Sequence, residues 1–300
     1  MKKILVIGSL NMDSVIKTPR MPKPGETVMG TDISLIPGGK GANQAYAAGK
    51  LGGDVTMLGA VGADSFGDAM LDNLRSVNVD IKGICRLEGV HTGQAYITVN
   101  EEGQNSIIVI SGANGEVTEK MIDENMDLID ESDIIIMQLE IPVETVKYVK
   151  EIAVKKEKMV ILDPAPAVAD LLDDFWKGID YIKPNETELE VLTGRTMTTE
   201  TELIEGAKEM LGKGVKSVIV TLGEKGCLYV SNKEEKIIPT KKVPVVDTTA
   251  AGDSFTAAFA LSLSREESIE EAIAFGQKVS GIVVTKKGAQ TSIPEIQELE

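Results

Sequence analysis

A glycine-rich segment at Gly38–Gln44, with the sequence Gly-Gly-Lys-Gly-Ala-Asn-Gln, combines three glycines with the polar side chains of Lys40 and Asn43. Glycines entering a helix let the backbone approach a ligand and present amide N–H groups at the positive helix end. The segment fits neither the dinucleotide pattern GxGxxG nor the P-loop pattern GxxxxGK[ST]. A tight turn between a strand and a helix is the alternative, but the two polar side chains favour a ligand-binding loop.

A second candidate is Asp247-Thr-Thr-Ala-Ala-Gly-Asp253, which opens a long alanine-rich segment. Small residues before a helix leave the N–H groups of Ala250, Ala251 and Gly252 free to hold an anion. Asp253 lies at that site either as a carboxylate that interacts favourably with the helix dipole or as a general base. The two acids that flank the amides favour the chemical role.

Polar residues also follow three predicted strands. Asn11 and Asp13 come after the first strand, Glu140 ends the apolar run 134–139, and Asn185 with Glu188 follows the strand near Tyr181. Ligands of open α/β sheets bind outside the carboxyl ends of the strands. A carboxylate with an amide suits a hydroxylated substrate such as a sugar, although an Asx turn explains Asn11 and Asp13 equally well. Together these residues predict a polar crevice.

Short β-branched runs alternate with longer helical patterns, which predicts an α/β fold with a largely parallel sheet covered on both faces. The predicted strands are Ile4–Gly8, Val55–Val61, Ile107–Ile110, Ile134–Leu139, Met159–Leu162, Tyr181–Lys183 and Val218–Leu222. The predicted helices are Ala42–Leu51, Thr118–Ile129, Val143–Lys155, Glu186–Thr193 and Thr201–Lys213, followed by the mostly helical segment Ala250–Lys286 with a turn at Arg265–Glu271.

Two segments, Gly25–Ile36 and Thr92–Asn100, resemble strands without a crossover helix and predict a small separate sheet. With no internal repeat and no convincing linker, residues 1–300 are predicted to form one domain with a β appendage.

The composition excludes some partners. The 300 residues carry 31 Lys and Arg and 47 Asp and Glu, a formal charge of −16, which disfavours nucleic acid and anionic membranes. Cys85 and Cys227 are far apart and support neither a disulfide framework nor a zinc ribbon. His91, the one histidine, is expected to be a loop or strand-start residue rather than a catalyst. The apolar run Ile4–Ile7 is too short for the core of a signal peptide, so a cytoplasmic location is expected.

The chain resembles a known family. Gly38–Gly62 and Asp247–Ala260 are similar to the two signature segments of the ribokinase/PfkB family of carbohydrate kinases. The resemblance extends over the whole chain through Asn11-x-Asp13, Asp163-Pro-Ala-Pro-Ala167, Pro184-Asn-Glu and Lys287-Gly-Ala-Gln. It implies a Rossmann-like, three-layer αβα domain with a mainly parallel central sheet and a small β-sheet lid, formed from about 14–36 and 91–110.

The resemblance implies ATP-dependent phosphorylation of D-ribose at O5, with Mg²⁺ and a monovalent cation such as K⁺. It implies that Asp253 is the general base and that the amides of Ala250, Ala251 and Gly252 form an anion hole. The residues implied to hold the sugar, besides Asp253, are Asn11, Asp13, Gly39, Lys40, Asn43 and Glu140. Those implied to hold the nucleotide are Asn185, Thr221, Gly223, Gly226, Gly252 and Gln277. Those implied to hold the monovalent cation are Asp247, Thr249, Val283, Lys286, Gly288 and Ser292, with Glu188 associated with Mg²⁺.

The sequence leaves three alternatives open. Another kinase of the family, acting on 2-deoxyribose, fructose or a nucleoside, is the nearest. A non-catalytic sugar- or nucleotide-binding protein is disfavoured because it has no need of an acid such as Asp253 beside an anion site, and because the expected export signal is lacking. An NAD-dependent oxidoreductase is disfavoured because the turn at Gly8 lacks the further fingerprint glycines. The family resemblance also predicts a homodimer formed through the lid.

Overall fold

The structure is a computed structural model that describes residues 1–299, so residue 300 of the predicted domain lies outside it. In chain order, the strands of these residues are β1 (Ile4–Ile7), β2 (Asn11–Lys17), β3 (Asp32–Gly38), β4 (Val55–Gly62), β5 (Asp80–Leu87), β6 (Gly93–Val99), β7 (Asn105–Ile110), β8 (Ile134–Met137), β9 (Met159–Leu162), β10 (Tyr181–Ile182), β11 (Ser217–Thr221), β12 (Cys227–Ser231) and β13 (Glu235–Ile238).

The α-helices of the same residues are α1 (Lys40–Lys50), α2 (Ser65–Arg75), α3 (Glu119–Asp123), α4 (Met126–Glu131), α5 (Val143–Lys155), α6 (Asp173–Trp176), α7 (Glu186–Thr193), α8 (Glu200–Gly212), α9 (Ala251–Ser264) and α10 (Ile269–Val283). None of the helices between residues 1 and 299 is long and apolar enough to cross a bilayer.

The larger sheet has the order β13-β12-β11-β10-β9-β8-β1-β4-β5. Its strands from β11 to β5 run parallel, whereas β12 and β13 are antiparallel additions at one edge. Side chains alternate between two cores: Ile4 and Val6 pack with α1, α9 and α10, and Leu5 and Ile7 pack on the opposite face with α5 and α8. A strand buried on both faces is apolar throughout, as β8 is. The predicted three-layer αβα architecture is confirmed.

The small sheet has the order β3-β2-β6-β7. It is mostly antiparallel, with one parallel pair between β2 and β6. The predicted second sheet is therefore present. The predicted strand Ile107–Ile110 lies here, within β7, and not in the large sheet. Pairing of the predicted strand Gly25–Ile36 begins only at Asp32, because Gly25, with a φ of 79°, and the neighbouring prolines form a turn before it.

Two further predictions are corrected. The helix predicted over Thr118–Ile129 is divided into α3 and α4, because Asn125 leaves the helical conformation and its side chain donates to the carbonyl oxygen of Met121. The Asx turn considered for Asn11 and Asp13 is wrong, since both residues belong to β2. The strands β2, β5, β12 and β13 and the helices α2 and α6 were not predicted from the sequence.

Candidate active site

The candidate site lies at the carboxyl edge of the large sheet. The register aligns the last residues of four neighbouring strands, β1, β8, β9 and β10. The residues that follow these strands therefore lie side by side at one edge, and they are Gly8, Gln138, Asp163 and Lys183. The fold gathers polar groups from distant parts of the chain at this edge, as expected for parallel sheets.

The first glycine segment brings β2 and β3 against the start of α1. Gly39 is the N-cap of α1 and has a φ of 84°, a conformation that residues other than glycine rarely adopt. A Cβ on Gly39 would lie 2.7 Å from the amide nitrogen of Asn11, and one on Gly38 would lie 2.2 Å from Oδ2 of Asp13. These two glycines therefore allow the close approach of the residues predicted to bind the sugar.

Glu140 ties this helix start to the end of β8. Its Oε2 accepts hydrogen bonds from the backbone amide of Lys40 over 3.0 Å and from the hydroxyl of Ser9 over 2.5 Å. Asn11 is held in place by Asn114, whose Nδ2 donates to its Oδ1 over 2.7 Å. Asn11 and Glu140 line a cavity of about 370 Å³ that also touches the small sheet at Val109.

Asp13 stands in an unusual electrostatic environment. Burial, with the negative charges of Glu140 and Asp253, raises its pKa from 3.8 to about 7. Among residues 1–299 its side chain has no hydrogen-bond partner. A partly buried carboxyl group without donors is matched to a ligand that brings hydroxyl groups to it.

Asp253 is the third residue of α9 and is 5% exposed. Its Oδ2 accepts from Nδ2 of Asn43 over 2.9 Å, and its Oδ1 accepts from Nε2 of Gln44 over 3.2 Å. The two amide side chains fix the orientation of the carboxylate at the positive end of α9. The two roles considered for Asp253, dipole partner and base, are both compatible with this position.

The donors to Asp253 belong to a buried chain of amides, in which Asn43 was predicted as a site residue and Gln44, Gln138 and Gln290 were not. Gln138 donates to Oε1 of Gln44 over 2.7 Å, and Gln290 donates to Oδ1 of Asn43 over 2.9 Å. Nε2 of Gln44 also donates to Oδ2 of Asp163 over 2.9 Å. Gln44 and Asp163 both lie in segments that carry the family resemblance, and this could have identified them as site residues.

The predicted anion hole before α9 is partly corrected. Ala250 caps the helix in the left-handed conformation, with a φ of 59°. The N–H of Ala251 donates to the carbonyl oxygen of Thr248 over 3.2 Å, so this amide is not free to bind an anion. The amides of Ala250 and Gly252 have no acceptor in the part of the chain that the structure describes, and that of Asp253 is a further free donor. Of the three predicted amides, only that of Ala251 is therefore engaged.

A larger cavity, of about 530 Å³, opens on the other side of Asp253. It is bounded by the start of α9 and by the end of β11, and Lys40, Lys183 and Glu188 line it. All the residues predicted to bind the nucleotide line this cavity, namely Asn185, Thr221, Gly223, Gly226, Gly252 and Gln277. Such a volume suits a nucleotide.

The charges of the cavity are balanced within its walls. Lys183 lies 3.3 Å from Oδ1 of Asp163, and both side chains are almost fully buried. Burial opposes the charge of Lys40, but the carboxylates of Asp253 and Asp163 outweigh that effect and raise the pKa of its ammonium group. Two lysines beside a helix N-terminus make this part of the cavity suitable for an anion.

The end of β10 leads into a capping box. Asn185 caps α7 by accepting from the amide of Glu188 over 2.7 Å, and Oε2 of Glu188 accepts from the amide of Asn185 over 2.8 Å. Burial and the charge of Asp163 raise the pKa of Glu188. The capping box orients Glu188 at the cavity.

Of the residues predicted to hold a monovalent cation, Thr249 and Gly288 contact Asp247. Its Oδ1 accepts from the amide of Thr249 over 2.9 Å, and its Oδ2 accepts from the amide of Gly288 over 3.0 Å. The backbone amide of Asp247 donates to the carbonyl oxygen of Val284, next to Val283, and Lys286 and Ser292 lie in the same C-terminal segment. Burial opposes the charge of Asp247, but the donors from Thr249 and Gly288 outweigh it and lower its pKa.

His91 is exposed in the loop before β6, as expected of a residue outside the site. Both cysteines are free, and Cys227 lies in the wall of the larger cavity, where burial raises the pKa of its thiol to about 11.

Comparison with known proteins gives a consistent result. A model of the pfkB family of carbohydrate kinases matches residues 1–296. A protein of Haemophilus influenzae named ribokinase is 43% identical over 298 residues, which cover 99% of this chain and 97% of the relative. A protein of Salmonella typhi named deoxyribokinase is 38% identical over 295 residues, with 98% and 96% of the two chains covered.

A solved structure has the same fold. The structure of Arabidopsis thaliana ribokinase complexed with ribose and ATP matches with a TM-score of 0.94 and 32% identity. The match covers 99% of this chain and 97% of that one. The agreement therefore includes both sheets and the helices between them.

Proposed function

This chain belongs to the pfkB family of carbohydrate kinases, and we propose that it transfers the γ-phosphoryl group of ATP to O5 of D-ribose, giving ribose 5-phosphate. The names of the relatives support ribose, and the solved complex with ribose and ATP supports both ligands. The observation that carries the proposal is the buried carboxylate of Asp253, oriented by Asn43 and Gln44 at the start of α9.

Asp253 is the base of the proposed reaction. The sugar hydroxyl gives its proton to this carboxylate as its oxygen bonds to the γ-phosphorus, and ADP leaves with the electron pair of the broken P–O bond. Asn11, Asp13 and Glu140 are proposed to bind the sugar hydroxyls, together with Gly39, Lys40 and Asn43. The free amides of Gly252 and Asp253 are proposed to stabilise the charge on the phosphoryl group.

Mg²⁺ is proposed to enter with ATP. In residues 1–299 no three acidic, histidine or cysteine side chains form a metal cluster. This fits Mg²⁺, which binds through phosphate oxygens and keeps several waters while using one or two carboxylates. Glu188, at the wall of the larger cavity, would hold the metal through its water shell. The metal would neutralise phosphate charge.

A monovalent cation such as K⁺ is proposed to bind beside Asp247. The candidate donors are oxygens, from the Asp247 carboxylate, Thr249 and the segment Val283–Ser292, and such donors suit a hard cation. The hydrogen bonds to Asp247 join this segment to the loop that leads into α9. A cation there would hold the loop in the conformation that presents the amide of Gly252.

The small sheet is proposed to act as a lid and as a homodimer contact. Asp13, Ala95 and Val109 share the face that borders the sugar cavity. The opposite face carries exposed apolar side chains, namely Ile33, Leu35, Tyr96, Ile108 and Ile110. A second copy of this chain would cover them. Light scattering tests this by measuring the mass of the protein in solution, which should be that of a dimer for wild type and that of a monomer for an Ile108→Lys variant.

A cytoplasmic location is proposed as well. Cys85 and Cys227 are both free thiols, which is the usual state of cysteine in a reducing compartment.

The decisive experiment is a coupled ADP-release assay with D-ribose, 2-deoxyribose, fructose and nucleosides, each with and without K⁺. We expect ribose to give the highest kcat/KM, and the phosphorylated position of the product to be O5 by ³¹P–¹H NMR. A second candidate, 2-deoxyribose, is favoured by the 38% identity to the protein named deoxyribokinase. A higher kcat/KM for 2-deoxyribose would replace the ribose proposal, and ADP release without any sugar would contradict both.

A further inference from the structure

Lys183 is a buried cation that the proposed reaction has not used so far. It directly follows β10 and is 5% exposed. The register of the sheet places it beside Asp163, and it lines the larger cavity next to the start of α9. Burying an ammonium group is costly unless its charge and its donors are satisfied.

The donors of this ammonium group are poorly satisfied. An ammonium has three N–H donors. Among residues 1–299, Nζ makes one hydrogen bond, to the carbonyl oxygen of Gly252, and at 3.4 Å it is longer than usual. Its ion pair with Oδ1 of Asp163, at 3.3 Å, does not meet hydrogen-bond geometry, and that oxygen has no other partner in the same residues. The ammonium group therefore has donors to offer to a ligand in the cavity.

The position of Nζ identifies that ligand. A Cβ on Gly252 would lie 3.0 Å from Nζ, so the ammonium group lies against the residue whose amide is free at the start of α9. A buried cation beside free helix amides is a site for a group that carries several negative charges.

We propose that Lys183 is a further catalytic residue, whose ammonium group donates hydrogen bonds to the non-bridging oxygens of the transferred phosphoryl group. This rests on the proposed kinase function. Lys183 keeps its proton throughout, because the proton of the sugar hydroxyl goes to Asp253 and the electron pair of the broken bond leaves with ADP. The charge that develops on the phosphoryl oxygens is met by the ammonium group of Lys183 together with the amide of Gly252.

A purely structural role is the competing explanation. In that role Lys183 only neutralises the buried carboxylate of Asp163, whose Oδ2 already accepts from Gln44. The two roles predict different activities for a variant in which Lys183 and Asp163 are both replaced by neutral residues. The double variant Lys183→Met with Asp163→Asn removes both charges and leaves no buried carboxylate without a cation.

The test compares Lys183→Met, Asp163→Asn and the double variant by ribose-dependent ADP release and by thermal melting. We expect Lys183→Met to lower kcat by ~10²–10³-fold with a ribose KM within about threefold of wild type. In the double variant the melting temperature should recover while kcat stays low. Recovery of kcat along with the melting temperature would overturn the proposal, as would a Lys183→Met variant with near-wild-type kcat.

Two controls complete the design. Lys150→Met removes another buried lysine, in α5, whose Nζ donates to the backbone oxygen of Asp174. It should lower the melting temperature without changing kcat, which separates loss of stability from loss of catalysis. Lys183→Arg keeps the charge and should retain more activity than Lys183→Met. An inactive wild-type protein would contradict the kinase function itself, whereas an active wild type with an active Lys183→Met would contradict only the role of Lys183.

Discussion

Nδ2 of Asn43 donates a hydrogen bond to Oδ2 of Asp253 over 2.9 Å, between residues that are 210 positions apart in the chain. The contact joins the two glycine-rich helix starts, since Asn43 lies in the first turn of α1 and Asp253 in the first turn of α9. Gln290 in turn orients Asn43, by donating to its Oδ1. The carboxylate is therefore positioned from both ends of the chain.

Asp253→Asn is expected to lower kcat by ~10²–10⁴-fold while ribose still binds, because the base is lost and the sugar contacts remain. The new amide group would also face the donors of Asn43 and Gln44 without an acceptor for its own hydrogens. The checks are ADP release for kcat and calorimetry for ribose binding. Near-wild-type turnover would show that Asp253 is not the base.

Asp13→Ala is expected to weaken ribose binding more than ATP binding, because Asp13 lies on the side of Glu140 and Asn11 and not in the larger cavity. Loss of a charged hydrogen-bonding partner corresponds to an increase in the ribose KM of roughly 10–100-fold. Steady-state kinetics with each substrate varied in turn measures this. A higher KM for ATP with an unchanged ribose KM would show that the two cavities have been assigned the wrong way round.

The stability of the protein without ligands should depend on pH through Asp13. Its pKa is about 7 in the folded protein and ordinarily 3.8, so the folded state holds a proton that the unfolded chain releases between these values. The free energy of unfolding therefore falls as the pH rises from about 4 to about 7. Asp13→Asn removes this loss of free energy of unfolding. The melting temperature of the variant should therefore exceed that of wild type, and by a larger margin at pH 8 than at pH 5.

Asp32→Asn, in β3, is the matched control for this pH dependence. Asp32 is exposed, and its hydrogen bond from Lys17 lowers its pKa, which is the opposite direction. Its replacement should lower the melting temperature slightly at neutral pH and have no effect below the pKa of the carboxyl group. If the melting temperatures of Asp13→Asn and wild type differ by the same amount at every pH, Asp13 is not the source of the pH dependence.

The parts of the fold that follow from local pattern were predictable. The helix Val143–Lys155 has a regular apolar face and was predicted with its observed bounds, and β9 likewise. The strand β2 was missed because Asn11–Lys17 mixes polar and apolar residues without a clean alternation. Its pairing with β3 and β6 stabilises it, and that is a tertiary effect.

The candidate site was predictable in its residue types but not in its contacts. Asp253, Asn43 and Glu140 could be selected because they lie at helix starts or strand ends. The pairing of Lys183 with Asp163 depends on the register of β10 with β9, which no short segment encodes. The sequence predicts Lys183 as the last residue of the strand Tyr181–Lys183. Its position at the carboxyl end of that strand is the signal that could have identified it as a site residue.

Asp247→Asn is expected to abolish activation by monovalent cations while leaving part of the basal activity. The variant loses the negative charge but keeps the size of the side chain, so the loop to Gly288 still forms one of its hydrogen bonds. Measurement of kcat against K⁺ concentration, at constant ionic strength with a tetramethylammonium salt, checks this. A variant that K⁺ activates as strongly as wild type would place the cation elsewhere.

Gly41→Ala and Gly212→Ala put the same methyl group into two helices with different surroundings. A Cβ on Gly41, in α1, would lie 2.6 Å from the amide nitrogen of Ser9 and 2.7 Å from the carbonyl carbon of Gly8. Because both contacts are with backbone, the helix must move away from β1, and we expect a loss of ~1–3 kcal/mol in the free energy of unfolding.

At Gly212, in α8, a Cβ would meet no atom within 4 Å, so the higher helix propensity of alanine should add ~0.5–1 kcal/mol. Urea unfolding of the two variants measures both values. The displacement in Gly41→Ala also moves the amide of Lys40 away from Glu140, so its ribose KM should rise, whereas that of Gly212→Ala should not change. Equal free energies of unfolding for the two variants would mean that α1 accommodates the methyl group without strain. The close approach of α1 to β1 would then not be needed to position the sugar site.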